Sequence, residues 1–186
     1  MTQQRNGTAP GSRNVAMSLA YAFIPSPVGQ LKVVATDRGL AAILWENEDP
    51  NRVRLGAMVE NPRHPILIQA QVELGEYFAG TRTVFTVPLD IAGTTFQRKV
   101  WSALLAIPFG ETRTYGALAR QLGNPHASRA VGAANGKNPV SIMTPCHRMI
   151  GSDGSLTGFA GGLATKQFLL AHERTHAGAL DSSPQR

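Results

Sequence analysis

Apolar residues in the first third of the chain fall into three short runs. The runs cover residues 20–25, 30–35 and 40–45, with Ser26-Pro27 and Asp37-Arg38-Gly39 between them. Short apolar runs bounded by Pro, Gly and Asp are typical of β-strands joined by tight turns. The pattern therefore predicts a three-stranded meander, followed by a loop over residues 46–63.

A helical spacing follows this loop. Leu67, Ala70, Leu74 and Phe78 recur three or four positions apart, and Gly80 comes directly after them. This spacing puts the four side chains on one face of a helix, and glycine is a common residue just beyond a helix end. We expect a helix over residues 66–78 and an extended segment, 83–91, that returns to the sheet.

Helical patterns dominate the second half of the chain. Phe96, Val100, Leu104 and Ile107 lie on one face of a predicted helix over residues 95–107, which Pro108 and Gly110 end. Thr114 is positioned to cap a second helix over residues 115–122, and Gly123 stops it. Asn124-Pro125 supplies a cap and a first-turn proline for a third helix over residues 126–135.

The second and third of these helices form a predicted helix-turn-helix pair. In the third helix small residues leave His126 and Arg129 as the long side chains. Readers of the major groove normally present several long polar side chains, so this helix is better suited to sequence-tolerant docking on the DNA backbone or in the minor groove. The alternative is an alanine-rich core helix, and the pattern alone does not separate the two.

The chain divides into four predicted parts. Residues 1–16 form a flexible tail, 17–92 an N-terminal α/β domain, 93–175 a DNA-binding and catalytic domain, and 176–186 a second tail. The apolar stretch 15–24 follows two arginines, as in a secretory signal, but Ser18 and Tyr21 interrupt it, which favours a first β-strand. No apolar stretch is long enough to span a membrane.

Composition limits the chemistry of this chain. Its 186 residues are 42% hydrophobic and 16% charged, which is typical of a globular protein. A single cysteine excludes a disulfide framework and a thiolate cluster for structural zinc, and so favours a cytoplasmic location. No metal or nucleotide cofactor is predicted, because the sequence lacks the His-Glu-x-x-His, phosphate-loop and dinucleotide-loop motifs.

Charge separates the two halves. Residues 1–92 carry eight Lys and Arg against eight Asp and Glu, whereas residues 93–186 carry ten against four, which is the whole net charge of +6. A local excess of this kind is expected of a module that binds a polyanion such as DNA. A solvated basic surface is the alternative.

The single cysteine, Cys146, lies in Pro145-Cys146-His147-Arg148, after the apolar stretch 141–144 that we interpret as extended. A lone cysteine is more often buried and inert than reactive. The adjacent His147 and Arg148, however, are groups that can favour the thiolate, the nucleophilic form. On an extended strand His147 would point away from Cys146, so contact would need a turn or a bridging water.

The residues around Cys146 resemble the active-site signature of the O6-alkylguanine-DNA alkyltransferases, also called methylated-DNA–protein-cysteine methyltransferases. The signature is Asn-Pro-Val-Ser-Ile-Met-Thr-Pro-Cys-His-Arg-Met-Ile-Gly over residues 138–151. The resemblance extends to further segments on both sides, which are 96–101, 107–112, 127–135, 157–159 and 162–173.

The resemblance implies a fold and a reaction. The fold is α+β, with an N-terminal ribonuclease H-like α/β domain followed by a helical, winged helix-like domain. The reaction is stoichiometric and irreversible repair of duplex DNA, without a cofactor. The damaged nucleotide is flipped out, and the cysteine takes the alkyl group from O6 of guanine, or from O4 of thymine. We expect a monomer in the absence of DNA.

The resemblance also assigns catalytic roles. Cys146 resembles the acceptor, His147 its base acting through water, and Glu173 the group that polarises His147. Asn138 resembles the asparagine that braces the active-site turn, and Tyr115 the residue that contacts the phosphate and helps neutralise the leaving guanine. Without the resemblance, Glu173 would be interpreted as a solvated helix-end carboxylate, Asn138 as an ordinary turn residue and Tyr115 as core.

The remaining roles concern DNA and the substrate. Arg129 resembles the finger that fills the vacated base stack, against the simpler interpretation of a solvated arginine. The small residues Ala127, Ala130 and Gly132 are expected to let its helix approach the DNA closely. The implied substrate pocket contains three residues, which are Met149, Phe159 and Ala160.

Two pocket positions differ from the common family pattern. Phe159 stands where many members have tyrosine, and Ala160 stands where many have a polar or bulky residue. Side-chain hydrogen bonds to the substrate oxygen from these positions are therefore not expected. Small Ala160 and Gly161 lead us to hypothesise a pocket that accepts groups larger than methyl, such as benzyl.

Three other functions were weighed. A helix-turn-helix regulator would need base-reading side chains and has no use for Pro-Cys-His-Arg. A cysteine hydrolase would need an oxyanion site, which the sequence does not reveal. A non-reactive binder of alkylated DNA would not need Cys146. The sequence therefore favours a stand-alone repair protein.

Overall fold

The computed structural model describes residues 19–181, and a four-stranded sheet opens the fold. The three predicted strands are present as β1 (Leu19–Ser26), β2 (Gly29–Thr36) and β3 (Gly39–Trp45), each antiparallel to the next. A short strand, β4 (Met58–Glu60), lies parallel to β1 in the segment that we predicted to be a loop. The predicted N-terminal tail, 1–16, lies outside the described residues, as do residues 15–18 of the signal-like stretch.

One helix covers the sheet. α1 (Pro65–Phe78) buries Leu67, Ala70 and Leu74 as predicted, but it buries Tyr77 rather than Phe78 most completely. Gly80 follows with a φ of 75°, a left-handed conformation that favours glycine.

Residues 83–91 return to the sheet as expected, but they pair with it through a single bridge and do not form a strand. They contact the β3 edge only around Leu40, whose amide donates to Pro88 O (2.7 Å) and whose carbonyl accepts from Asp90 N (2.8 Å).

The C-terminal half begins with α2 (Thr95–Leu105). A capping box formed by Thr94 and Gln97 starts it. Its buried face contains Val100 and Leu104, as predicted, together with Trp101. Phe96, which we placed on this face, is instead exposed, because the buried stripe begins one turn later.

The helix-turn-helix pair consists of α3 (Tyr115–Gln121) and α4 (Ser128–Gly136). Thr114 caps α3 as predicted, since its hydroxyl accepts a hydrogen bond from Ala117 N at 3.2 Å. The predicted start of α4 is wrong. Residues 124–127 form a turn in which Ala127 N donates to Asn124 O, and Ala127 is the N-cap without a side-chain cap. His126 therefore lies outside the helix.

The last helix, α5 (Leu163–Asp181), runs back across the molecule. The helix continues to Asp181, so residues 176–181 of the predicted tail 176–186 are helical. His176 Nδ1 lies 2.8 Å from His172 O. Residues 182–186 lie outside the described part of the chain.

Two hydrophobic clusters form the interior. The first joins the sheet to α1 and includes Leu169 of α5. The second joins α2, α3 and α4, and contains Cys146 and Met149. β5 (Arg113–Thr114) pairs in parallel with β6 (Met149–Ile150) and forms a small second sheet. β6 begins three residues after Cys146. Within residues 19–181, no helix has the length and apolar character needed to cross a membrane.

Candidate active site

Cys146 follows a tightly braced turn. Asn138 lies at the start of this turn and is buried, and its Nδ2 donates to Thr144 O (2.8 Å) while its Oδ1 accepts from Val140 N (3.1 Å). Residues 141–144 are a turn and not the extended stretch that we predicted. Within it, the buried Ile142 has a φ of 75°, which is unusual for a β-branched residue and indicates local strain.

The thiol of Cys146 is almost completely buried at the start of a 3₁₀ turn, Cys146–Arg148. Its Sγ lies 3.8 Å from Ser141 Oγ. Burial raises the pKa of the Cys146 thiol, although hydrogen bonds from Asn138 and Ser141 and the charges of Arg52 and Lys166 oppose this effect. The resting cysteine is therefore a thiol, and a base must remove its proton before it can attack carbon.

His147 can be that base. The 3₁₀ turn directs its fully buried ring to α5, where Nε2 lies 2.6 Å from Glu173 Oε1. Nδ1 has no hydrogen-bond partner among the described residues. Burial is the main reason that the pKa of His147 is lowered, so the ring is neutral near pH 7. A neutral ring that donates through Nε2 keeps a lone pair on Nδ1.

Glu173 is the centre of a buried network, contrary to its interpretation as a solvated carboxylate. Its Oε1 accepts from His147, from Tyr77 OH (2.9 Å) and from Arg148 Nη2 (3.0 Å). Its Oε2 accepts from Arg148 Nε (2.8 Å) and from Gly110 N (3.1 Å). Burial would raise the pKa of Glu173, but the His147 and Arg148 contacts outweigh it and lower the pKa to about 2.

Arg148 does not favour the thiolate in the way that the sequence suggested. Its guanidinium turns to Glu173 and to Ile107 O (2.5 Å). The positive charges that act on the sulfur come from Arg52 and Lys166, which sequence reasoning missed. Lys166 is buried and donates to Thr157 O at 2.7 Å. Arg52 pairs with Glu48 (2.6 Å) and donates to Asn138 O.

An open cavity of about 850 Å³ lies between α4 and the segment around Phe159. Tyr115, Arg129 and Gly132 line one side of it, and Phe159 and Ala160 line another. Tyr115 and Phe159 also pack against the hydrophobic cluster that contains Cys146, so two residues of the cavity wall connect the cavity to this cluster.

The polar groups of the cavity make few contacts. The Tyr115 hydroxyl accepts from Thr157 Oγ1 at 3.2 Å, and burial raises its pKa, so it remains a proton donor. Arg129 and Ala130 are exposed on α4, and Ala127 is half-buried at its N-cap.

We had predicted that Met149 lines the substrate pocket, but it does not line this cavity. It is fully buried in the second cluster beneath Cys146, because the two-residue pairing of β6 with β5 holds it in the core. The wall at Phe159 is instead supported by Trp45 of β3, whose ring centroid lies 5.4 Å away. Gly161 is required there, since a Cβ would lie 2.8 Å from the Trp45 ring.

The described residues contain no group of three or more His, Cys, Asp or Glu side chains that could hold a metal ion. The site consists of the Cys146 thiol, the His147 imidazole and the Glu173 carboxylate, and an open cavity lies on the other side of Tyr115 and Phe159. Such an arrangement can deprotonate the sulfur and present it to an electrophilic carbon.

Comparison with known proteins gives two family matches. Residues 19–91 match the ribonuclease-like domain of 6-O-methylguanine DNA methyltransferase, and residues 95–175 match the DNA-binding domain of the same family. The α+β fold class, with a ribonuclease-like domain before a DNA-binding one, is confirmed.

Individual relatives agree over most of their length. A methylated-DNA–protein-cysteine methyltransferase of Mycolicibacterium paratuberculosis is 48% identical over 87% of this chain and 96% of its own. One of Methanosarcina acetivorans is 45% identical over 82% and 97%. A crystal structure of Mycobacterium tuberculosis OGT in complex with DNA superposes with a TM-score of 0.77, at 43% identity, over 84% of this chain and 94% of that one.

Proposed function

The chain belongs to the O6-methylguanine-DNA methyltransferase family, and we propose that Cys146 is the residue that accepts the alkyl group from DNA. The chain repairs alkylated DNA by direct transfer of the alkyl group to a protein cysteine. Its sequence contains one cysteine. The observation that supports Cys146 most strongly is that the cavity residues Tyr115 and Phe159 pack against the hydrophobic cluster that contains it, and that the next residue, His147, is paired with the buried Glu173.

The proposed transfer begins with proton removal. His147 takes the proton of the Cys146 thiol on Nδ1, through a bridging water, while Glu173 holds the proton on Nε2 and stabilises the imidazolium that forms. The sulfur then attacks the alkyl carbon, the S–C bond forms and the C–O6 bond breaks. The electron pair goes to the guanine, and Tyr115 helps to neutralise it. A thioether is stable, so each molecule acts once.

Recognition of the DNA is proposed to use the cavity and α4. The alkylated guanine, or O4-methylthymine, is flipped out of the duplex into the cavity lined by Phe159 and Ala160. Arg129 enters the vacated stack, and the small residues Ala127, Ala130 and Gly132 allow α4 to lie close to the minor groove. The excess of positive charge after residue 92 favours duplex DNA.

Three further properties are part of the proposal. The domain boundary lies near residue 92, the protein is a monomer in the absence of DNA, and it is cytoplasmic. The break between the two family matches, after residue 91, supports this boundary.

Intact-mass measurement tests the central proposal. Equimolar protein is mixed with a duplex that carries one O6-methylguanine, alongside the Cys146→Ser variant. We expect one added methyl group on the wild-type protein, mapped to Cys146, and none on the variant. Binding without an adduct would indicate a lesion binder or regulator instead, and repeated turnover would indicate a hydrolase.

The size of the pocket is tested in the same way. Small Ala160 leaves room beside Phe159, so a benzyl adduct is expected when the duplex carries O6-benzylguanine. Acceptance of methyl combined with refusal of benzyl would contradict this part of the proposal, and Ala160→Trp is expected to produce that behaviour.

A further inference from the structure

Tyr77 brings the N-terminal half of the chain into the catalytic network. It lies on α1, in the segment that matches the ribonuclease-like domain, and its side chain is fully buried. Its hydroxyl nevertheless donates to Glu173 Oε1 at 2.9 Å, across 96 positions of sequence. A residue that only filled the core could be phenylalanine, which packs equally well and brings no hydroxyl that needs a partner.

We propose that Tyr77 is a positioning residue for alkyl transfer, and that its hydroxyl holds the Glu173 carboxylate so that His147 keeps Nδ1 free for the Cys146 proton. The inference depends on the proposed function of this site. It gives the N-terminal half a part in the reaction, although Cys146, His147 and Glu173 all belong to the C-terminal half.

The ring of Tyr77 is held in one place. Its ring centroid lies within 6.0 Å of the centroids of four other rings, which are those of Phe78, Phe85, Phe109 and His172. His172 Nε2 also lies 2.7 Å from Tyr77 O, so both the backbone and the side chain of Tyr77 are tied to α5. The hydroxyl therefore cannot leave Glu173 without moving α1 away from α5.

The Tyr77 hydroxyl also reduces the negative charge that the Glu173 carboxylate presents to His147. Oε1 of Glu173 is shared by three donors, which are Tyr77, Arg148 and His147. Burial and the carboxylate raise the pKa of Tyr77, so the phenol stays a donor at every pH at which the protein works. Without this donor, more negative charge on Oε1 would act on His147 and favour its protonated form. Protonated His147 cannot accept the thiol proton.

Other ionisable groups face His147 and remain in place when the hydroxyl is removed. They are Glu173 and Lys166 of α5 and Arg148 of the 3₁₀ turn, with Cys146 directly before His147 in the chain and His172 on the far side of Tyr77. A change in the pH dependence of Tyr77→Phe is then attributable to the phenol, because this variant keeps the ring and every other group.

The test is the pH profile of the single-turnover methyl transfer rate for wild-type protein and Tyr77→Phe, on duplex with O6-methylguanine. We expect the variant to be about tenfold slower at pH 7, where His147 is neutral in both proteins, because Glu173 and the His147 ring are less firmly oriented. The acidic midpoint of its profile is expected to move upward by about half a pH unit, because His147 is more easily protonated. Affinity for unmodified duplex should not change, since Tyr77 is fully buried and does not line the open cavity.

Phe78→Leu is the matched control. Phe78 is the next residue on α1 and lies against the rings of Tyr77 and His172, but it carries no hydroxyl. This control is expected to lose stability and to keep the acidic midpoint of the wild-type protein. A Tyr77→Phe profile that is unchanged, or that is lowered equally at every pH, overturns the inference. Failure of the wild-type protein to take up methyl would instead contradict the proposed function itself.

Discussion

The two sides of Cys146 differ in how many hydrogen bonds their polar side chains already make within the protein. On the relay side, which comprises Tyr77, His147, Arg148 and Glu173, five donors meet one buried carboxylate. On the cleft side, which comprises Tyr115, Arg129, Phe159 and Ala160, the tyrosine hydroxyl accepts one hydrogen bond and the arginine is exposed.

This difference separates folding from recognition. The relay side is completed when the chain folds, so a change there should affect stability and the transfer rate together. The cleft side obtains its partners only when DNA arrives, so a change there should affect the reaction on duplex DNA and leave stability unaltered. The predictions below test this distinction, starting with the largest expected effect.

Glu173→Gln should have the largest effect, on both stability and rate. It removes the negative charge that balances Arg148 inside the protein, and breaking one partner of a buried ion pair costs about 3–5 kcal/mol. The transfer rate should fall by about 100-fold or more, because His147 loses the group that stabilises its protonated form. Urea unfolding and single-turnover mass spectrometry measure the two effects.

The exposed neighbour Arg174 supplies the control for this prediction. Arg174→Gln should stay within about 0.5 kcal/mol of the wild-type free energy of unfolding. If Glu173→Gln were as stable as this control, the hydrogen bonds of the relay side would not contribute to the stability of the folded protein.

Arg129→Ala should affect recognition alone. If Arg129 fills the stack of an opened duplex, its loss should slow transfer from duplex DNA about 10- to 100-fold, since flipping costs a few kcal/mol. Transfer from a short single strand with O6-methylguanine should change much less, because no stack is vacated. The free energy of unfolding should stay within about 0.5 kcal/mol. Equal slowing on both substrates would exclude the finger role, and Arg120→Ala on α3 is the control.

The sequence predicts much of this comparison from local signals. Short apolar runs bounded by turn residues indicate β1 to β3, helical spacing indicates α1 and α2, and the Thr114 cap indicates the start of α3. The signature around Cys146 identifies the sulfur and its base. The start of α4 was misplaced because Asn124-Pro125 has the residue types of a helix cap, whereas its backbone forms a separate turn first.

The contacts that local signals could not give all join distant segments. Tyr77 lies one position away from the predicted apolar stripe of α1, and nothing nearby in sequence indicates a partner on α5. Arg52 reaches Asn138 O from a segment that looked like an ordinary loop. A buried Lys166 was not expected either, because lysine is rarely buried unless it finds an acceptor such as Thr157 O.

Acidification should weaken the relay side in a predictable window. Burial lowers the pKa of folded His147 below its usual 6.5, so below pH 6.5 the unfolded chain binds a proton that the folded chain does not. The free energy of unfolding should therefore fall, by up to about 1.4 kcal/mol per pH unit. Glu173 has a folded pKa of about 2 against 4.5, and adds a second loss as pH falls from 4.5 to 2.

Urea unfolding at pH 7.5, 6.5, 5.5 and 4.5 measures the first loss, with His147→Gln as the comparison. The slope below pH 6.5 should be shallower in this variant, because it has no imidazole to protonate. Equal slopes would show that His147 is not held neutral by the fold. Tyr115→Phe on the cleft side should keep the wild-type slope.

Gly132→Ala should produce the smallest effect. It should raise the free energy of unfolding and lower the affinity for duplex DNA. A Cβ at Gly132 would lie 3.8 Å from the Tyr115 ring, which is an ordinary contact, and alanine in a helix is favoured over glycine by about 1 kcal/mol. The variant should therefore be slightly more stable. If α4 lies close to the DNA, however, the added methyl group should weaken duplex binding, by about threefold for a loss of about 0.6 kcal/mol.

Gly75→Ala on α1 separates these two effects. A Cβ there would meet no atom within 4 Å, so a similar gain in stability is expected without any change in DNA affinity. Opposite signs at Gly132 and matching gains at both positions would place the DNA-facing surface on α4. A Gly132→Ala variant that binds duplex as tightly as Gly75→Ala would instead show that α4 packs only inward, as an alanine-rich core helix does, and that the cleft side meets DNA through other residues.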